Sequence, residues 1–390
     1  MRNKTFFLSI IVILFISGCS KQQSYDFVIN NVGLFDGYQN WGVVNIGINA
    51  DSIAIISEQN LNSDSTLNAS GKYLIPGLVN SHIHAWKEAQ LEEAYQAGIL
   101  AVMNMHSGDV ERDQQMRTFG QQDGHAFYYS SGIGATVPGG HPTQISQSSF
   151  ETINDTVPVQ QWLINRLKEN PDYIKIFRDS RKFPTRLPTL PFDSIQKLIS
   201  YAKEYDKIVV VHASNMNEIR TISAFKPNGF VHGIVERDSI FSENDVAVLK
   251  ENNTFIVPTN ILIMKPWEFI KPGMSGYEQL SAFAQTPENI HKNIQVLHDG
   301  GITIVAGTDA GARPYINHGD DLLYELDIYS KAGLSNLEVL RTATGNASNV
   351  WDIPIGKLGV GSKLNMLLLN GNPLKDLGHL KDIEHIWKTK

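Results

Sequence analysis

One cysteine, Cys19, stands in a chain of 390 residues, so no internal disulfide can form. Long Lys/Arg runs are absent, and a formal charge of -7 with a pI near 5.9 argues against a polyanion partner, because neutralising phosphates takes a concentrated basic face. The N-terminal apolar run, residues 5–16, falls short of the ~20 residues that a membrane-spanning helix needs. Internal repeats and low-complexity segments are missing as well. What remains is a globular composition, 42% hydrophobic and 19% charged, with enough chain for a barrel of about 250 residues and an accessory domain.

The N-terminus reads as a processing signal. Arg2 and Lys4 supply a positive start, residues 5–16 an apolar core, and Ile16-Ser17-Gly18-Cys19 a small-residue end. The pattern resembles a bacterial lipoprotein signal, residues 1–18, whose removal leaves Cys19 as a lipid-modified N-terminus. A thiol consumed by lipidation fits a chain with no second cysteine to pair with it. The expected location is the cell envelope, lipid-anchored to a bacterial membrane and facing the periplasm or the exterior. A cleaved secretion signal with an incidental cysteine is the alternative.

Short β-segments at 26–30, 43–48 and 52–56 follow, punctuated by Asn, Asp and Gly. From residue 74 the texture changes. Apolar runs at 74–84, 99–105, 126–133, 173–177, 208–212, 229–234, 254–258 and 302–307 are separated by amphipathic stretches at 87–97, 159–169, 192–204, 243–251 and 278–299. Eight runs with helices between them predict an α/β fold, a closed (β/α)8 TIM-type barrel over residues 74–355. A doubly wound open sheet is the alternative. Further helices are expected at 320–332 and 336–345. Beyond 355, glycine-rich punctuation returns, followed by Met366-Leu367-Leu368-Leu369 and the segment 383–387. Residues 19–73 and 356–390 are therefore expected to pair into one small β-sandwich.

In such a barrel the chemistry lies at the C-terminal ends of the strands. Strand one ends in His82 and His84, which project from one face as residues i and i+2. Strand four carries Lys175, strand five ends in His212, strand six carries His232, and Asp309 follows strand eight. Imidazoles and a carboxylate on one rim suit a divalent transition metal. Taken singly, each residue has a plainer reading: His212 and His232 as core histidines, Lys175 as a snorkelling side chain, Asp309 as a helix N-cap. Their joint placement favours a metal centre, and a charged amine inside Tyr173-Ile174-Lys175-Ile176-Phe177 is costly without a partner. Tyr173 shares a face with Lys175 and either donates to a developing oxyanion or packs inside the barrel. Arg178 or Arg181 either holds a substrate carboxylate or is a solvated loop charge. His141 is a substrate contact or a surface histidine, and His318 a residue of the site's mouth. His106, His125, His291 and His298 receive no role.

The segments PGLVNSHIH, YIKIF, VVVHAS, FVHGIV and IVAGTDAGA, in this order, resemble the metal-dependent amidohydrolase superfamily, above all its imidazolonepropionase-like and prolidase-like members. The resemblance runs from about Asp26 to the end and includes HGDDLLYELDIYSKAGLSNLEVLRTATGNAS. It implies that His82, His84 and Asp309 bind a first metal ion, zinc by expectation. It implies also that Lys175, carboxylated by carbon dioxide, bridges to a second ion held by His212 and His232. Burial makes a lysine amine neutral and reactive towards carbon dioxide. A water between the metals becomes the nucleophile, and Asp309 carries its proton to the leaving amine as general acid and base. Gly139-Gly140-His141 looks like the Gly-Gly-His loop of related enzymes. Asn80 departs from a common Asp, Val231 stands before His232 where Glu is frequent, and Lys363-Leu364-Asn365-Met366 replaces a usual Ala-Asp pair; none of these removes a ligand.

The expected function is hydrolysis of an amide-type carbon–nitrogen bond in a dipeptide, an N-acyl amino acid or a cyclic amide. Ester, lactone or phosphotriester hydrolysis on the same site competes with it, as does a lipoprotein that binds a solute without turnover. A deaminase fits less well, since mononuclear deaminases usually lack the strand-four lysine. The expected partners are a small-molecule substrate and a membrane, with no nucleic acid. Cys19→Ser is expected to move the protein from the membrane pellet to the soluble fraction. Continued co-sedimentation with membranes would reject lipidation as the anchor.

Overall fold

The computed structural model describes residues 24–146, 149–180, 186–213 and 215–390. Residues 1–18, Cys19 and Arg181 lie outside the described residues. Near the start come β1 (Phe27–Phe35), β2 (Asn40–Asn49), β3 (Ser52–Ser57), β4 (Thr66–Asn68) and β5 (Tyr73–Pro76). Strands and helices then alternate: β6 (Leu78–Ile83), α1 (Glu88–Gln96), β7 (Ile99–Asn104), α2 (Val110–Gly120), β8 (Phe127–Ser130), α3 (Val159–Leu167), β9 (Ile174–Arg178) and α4 (Phe192–Lys203). The alternation continues with β10 (Val209–Ala213), α5 (Met216–Ser223), β11 (Gly229–Val231), α6 (Glu243–Glu251) and β12 (Phe255–Val257). Helices α7 (Ile261–Phe269), α8 (Tyr277–Phe283), α9 (Pro287–Asp299), α10 (Asp321–Lys331), α11 (Asn336–Thr342) and α12 (Gly345–Trp351) precede β13 (Met366–Leu369) and β14 (Ile383–Trp387).

Strands from both ends of the chain share a seven-stranded sheet in the order β14-β13-β5-β1-β2-β3, with β4 beside β1. β13 shows how the sheet joins two cores. The two-residue period of a strand sends Leu367 and Leu369 into the large core and Met366 and Leu368 into the smaller one, so the whole strand is apolar. β5 divides likewise, with Ile75 on the large core and Leu74 on the small one. The run at 74–84, expected as one strand, is therefore two. Pro76 has no N–H to extend a ladder, and a Cβ at Gly77 would collide with Leu100.

β6, β7 and β8 form one parallel sheet, and β12-β11-β10-β9 another. Both faces of these strands are covered, which is why they read as continuous apolar runs such as Val209-Val210-Val211. Backbone hydrogen bonds link the two sheets on one side, from Asp172 N to Ser130 O (2.9 Å) and from Ala135 N to Lys175 O (2.8 Å). On the other side Ile256 N donates to Thr303 O (3.0 Å) and Ser81 N to Ala306 O (2.8 Å). Residues 302–307 thus lie between β12 and β6 through single bonds and the Ile256–Ile304 bridge, without a continuous ladder.

The helix expected over 278–299 breaks in two. Thr286 caps α9 by accepting from Asn289 N, and Pro287 occupies the first turn, where its missing N–H costs nothing. Helix α2 was not foreseen because it offers no apolar stripe; Asp109 starts it by accepting from Arg112 N. Helices α5 and α7 were not foreseen either. No helix among the described residues is long and apolar enough to cross a membrane.

Candidate functional site

The C-terminal end of β6 brings His82 and His84 to Asp309. His82 Nε2 lies 3.1 Å and His84 Nε2 3.0 Å from Asp309 Oδ1, so two imidazoles share one carboxylate oxygen. Backbone pairing sets this register: Asp309 N donates to His82 O (2.8 Å), and His84 N to Ala310 O (2.7 Å). Asn80 fastens the same junction. Its Nδ2 donates to Thr308 Oγ1 (2.9 Å) and its Oδ1 accepts from Thr308 N (3.2 Å), a donor-and-acceptor pair that an ionised Asp could not supply. Asp309 (φ 59°) and His232 (φ 74°) both hold the left-handed backbone that side chains usually avoid, and such strain gathers at functional sites.

The rings of His82 and His232 are 4.6 Å apart, and those of His212 and His232 4.4 Å. One ligand atom each from His82, His232 and Asp309 fall within 4.8 Å of one another. Thr259 decides which nitrogen His232 presents. Its hydroxyl donates its one hydrogen to Pro258 O (2.7 Å), so it must accept from His232 Nδ1–H (2.9 Å). The lone pair of His232 is then on Nε2, the form in which an oriented histidine binds metal. Glu325 secures this loop by accepting from Asn260 N (2.9 Å), Ile261 N (2.7 Å) and Tyr329 OH (2.9 Å). Burial pushes the Glu325 carboxyl up to about 7 even against these donors.

Lys175 is 1% exposed, and its Nζ has no hydrogen-bond partner among the described residues. Burial holds the amine down to about 7, against the pull of Asp309. His82 is likewise held down to about 3 by burial, with Asp309 opposing. Burial also disfavours the charge on Asp309, yet the facing imidazoles of His82 and His84 outweigh it and keep the carboxyl well below the usual carboxylate range. A neutral imidazole, an ionised carboxylate and an amine that sheds its proton near neutrality are the states metal ligation requires. The donor set therefore fits divalent cations.

Other expected residues divide into those at the cluster and those away from it. His141 belongs to it, with its ring 5.1 Å from that of His212. His318 is buried behind it and donates from Nε2 to His84 O (3.2 Å), supporting the strand end. Arg178 is not brought in. Strand β9 extends to Arg178, so alternation places it opposite Lys175 and Phe177. There its Nε donates to Glu218 Oε1 (3.0 Å), and its guanidinium lies 4.0 Å over the Phe192 ring and also reaches Leu190 O. Tyr173 stands at the opposite end of β9, where its hydroxyl donates to Asn104 O (2.7 Å) and its ring packs 4.8 Å from Trp351. Sequence reasoning gave no role to Asn80, Thr259 or Asp179, whose Oδ2 lies 3.8 Å from His212 Nε2. All three sit in or beside the apolar runs, so a survey of every polar side chain at a strand end finds them. Glu325 sits inside a helix and carries no such mark.

Parallel βα units whose strand ends gather histidines, a lysine and an aspartate define an α/β protein with a centre suited to divalent metals. Residues 73–390 match the Amidohydrolase family, and the chain belongs to it. It is a hydrolase acting on carbon–nitrogen bonds, in a family that generally binds divalent metals. No curated protein matches the sequence. Among solved structures, the ochratoxinase of A. niger is similar at a TM-score of 0.77 and 18% identity, over 93% of this chain and 94% of that chain. A Xaa-Pro dipeptidase with bound methionine gives 0.75 and 18%, over 93% and 98%. Molinate hydrolase gives 0.75 and 14%, over 93% of each chain. At these identities the likeness establishes the fold.

Thr259→Val removes the acceptor that orients His232 while keeping the side chain's shape. It is expected to weaken metal binding about 10–100-fold with an unchanged circular dichroism spectrum. Competition against a chromophoric chelator measures this, and wild-type affinity in the variant would show that His232 needs no such partner.

Proposed function

We propose that the chain is a metal-dependent hydrolase of amide-type bonds in small molecules, built on a barrel that β6 to β12 and residues 302–307 close. The convergence of His82 and His84 Nε2 on Asp309 Oδ1, at 3.1 and 3.0 Å beside a buried Lys175 amine, carries this reading. The hydrogen bonds between the two parallel sheets support the closure, and the seven-stranded sheet supports a β-domain made from residues 19–73 and 356–390. His82, His84 and Asp309 would hold one divalent ion and His212 and His232 a second, with zinc the expected metal. Such a pair supplies Lewis acidity and lowers the pKa of water.

The chain's own groups supply the rest. The neutral Lys175 nitrogen attacks carbon dioxide, forming a nitrogen–carbon bond and releasing one proton; the product is an anion with two oxygens to offer the cations. Asp309 accepts a proton from the attacking water and passes it to the leaving nitrogen, so that the amine departs neutral. His141 faces the substrate from the loop after β8. A dipeptide, an N-acyl amino acid or a cyclic amide suits this chemistry, and the likeness to a Xaa-Pro dipeptidase supports the first. Lipid attachment at Cys19 and a cell-envelope location belong to the proposal on the sequence of residues 1–19 alone.

Elemental analysis combined with a panel of dipeptides and N-acyl amino acids tests the reading. A metal-loaded protein that hydrolyses none of them would return the chain to the solute-binding alternative. Lys175→Ala is expected to lower metal content from two ions per chain to one, and an unchanged stoichiometry would remove its bridging role. Asp309→Asn is expected to keep the fold and lose about 10²-fold or more in turnover; activity within about tenfold of wild type would contradict the acid–base role.

A further inference from the structure

His106 takes no part in the chemistry described so far, yet it lies beside it. It follows β7 by two residues, at the same end of the parallel strands as His82 and His84, and it is 4% exposed. Gly134 N donates to His106 Nδ1 at 3.1 Å. A backbone amide can only donate, so Nδ1 carries the lone pair and the hydrogen of the neutral ring is on Nε2. That Nε2 is buried and has no hydrogen-bond partner among the described residues. A buried N–H left without an acceptor is rare in a folded chain and needs an occupant to explain it.

The surroundings place this donor at the candidate centre. Burial, then repulsion from His84, His141 and Lys175, pushes the ring well below the ordinary imidazole range, so it stays neutral among them. Edge contacts with Phe150 (4.7 Å) and Phe177 (5.6 Å) hold the ring in place. Phe177 also lies 5.0 Å from Lys175 Nζ and 5.4 Å from the His141 ring. Gly134, which anchors Nδ1, is pressed against the same face: a Cβ there would collide with Phe177 and lie 3.3 Å from Lys175 Cγ. The hydroxyl of Tyr173, read from the sequence as either an oxyanion donor or a packed barrel aromatic, donates to Asn104 O.

We propose that His106 is a substrate-binding residue whose Nε2–H donates to the carbonyl oxygen of an amide with an apolar flank packed on Phe150 and Phe177. The proposal rests on the hydrolase reading above. A neutral donor matches a neutral carbonyl, which needs a hydrogen bond and no counter-ion. The bond strengthens as negative charge grows on that oxygen, so its main effect falls on turnover rather than on ground-state binding.

Wild type, His106→Phe and His106→Gln, each as the metal-loaded full chain, test this. His106→Phe is expected to lower kcat about 10²-fold with little change in KM and with wild-type metal content. His106→Gln keeps an N–H near the same place and is expected to recover at least tenfold of that loss. Histidine-selective 15N NMR is expected to show the Nε2–H form of His106 in wild type and a shift of that signal when methylphosphonate, a stable tetrahedral anion, is added. Equal kcat in all three proteins would overturn the proposal by reducing Nε2–H to the partner of a fixed water. The Nδ1–H form in wild type, or no response of that signal to methylphosphonate, would overturn it as well. Metal content read on the same wild-type sample reports on the hydrolase reading separately, so the two failures are distinguishable.

Discussion

Burial disfavours an ammonium ion where Lys175 sits. The side chain lies between Ile174 and Ile176 on a strand covered on both faces, and burial brings its amine down to about 7. The same loss of water governs its neighbours. His82 is kept neutral by burial, and the two imidazoles that face one oxygen of Asp309 hold its carboxyl well below the usual carboxylate range. In a medium of low dielectric, a carboxylate set among nitrogen donors suits cations, and the proposed metal pair would supply them. The rest of the fold serves to keep water away from this set and to aim it.

Aim comes from residues that carry none of the chemistry. Asn80 ties the end of β6 to Thr308, Thr259 chooses the nitrogen that His232 presents, and Glu325 pins the loop on which Thr259 sits. Each is itself buried and hydrogen-bonded, so each resists displacement. The departure from a common Asp at position 80 makes sense in this light: an amide can both donate to the Thr308 hydroxyl and accept from its N–H. Backbone strain at His232 and Asp309 is held by the same contacts, since both residues lie in segments bonded to neighbouring strands.

Much of the centre was legible because parallel strands buried on both faces are nearly pure in apolar residues, and a polar residue inside one stands out. His82, His84, Lys175, His212 and His232 are visible in this way. Arg178 and Tyr173 are placed by tertiary contacts that local pattern does not carry. Arg178 reads as a loop residue, but β9 runs through it, and alternation then turns it to Glu218. Tyr173 has the right parity for the lysine's face but sits about 6.6 Å deeper along the strand, at 3.3 Å per residue, where its hydroxyl meets Asn104 O. Helix α2 stayed hidden because it is polar around its circumference, whereas α4, with its apolar stripe Ile195, Leu198, Ile199 and Ala202, was plain.

The sequence by itself determined the family, the alternation of strands and helices, and which residue types stand at the strand ends, since burial and period are properties of neighbouring residues. Only the tertiary structure decided which of those residues meet and which atoms they turn to one another. Asp309 reaches His82 through backbone bonds between segments far apart in the chain. The hydrogen on His232 is assigned by Thr259 and that on His106 by Gly134, partners that no local pattern could name. A tautomer is a relation between side chains in space, and that is why folding alone settles it.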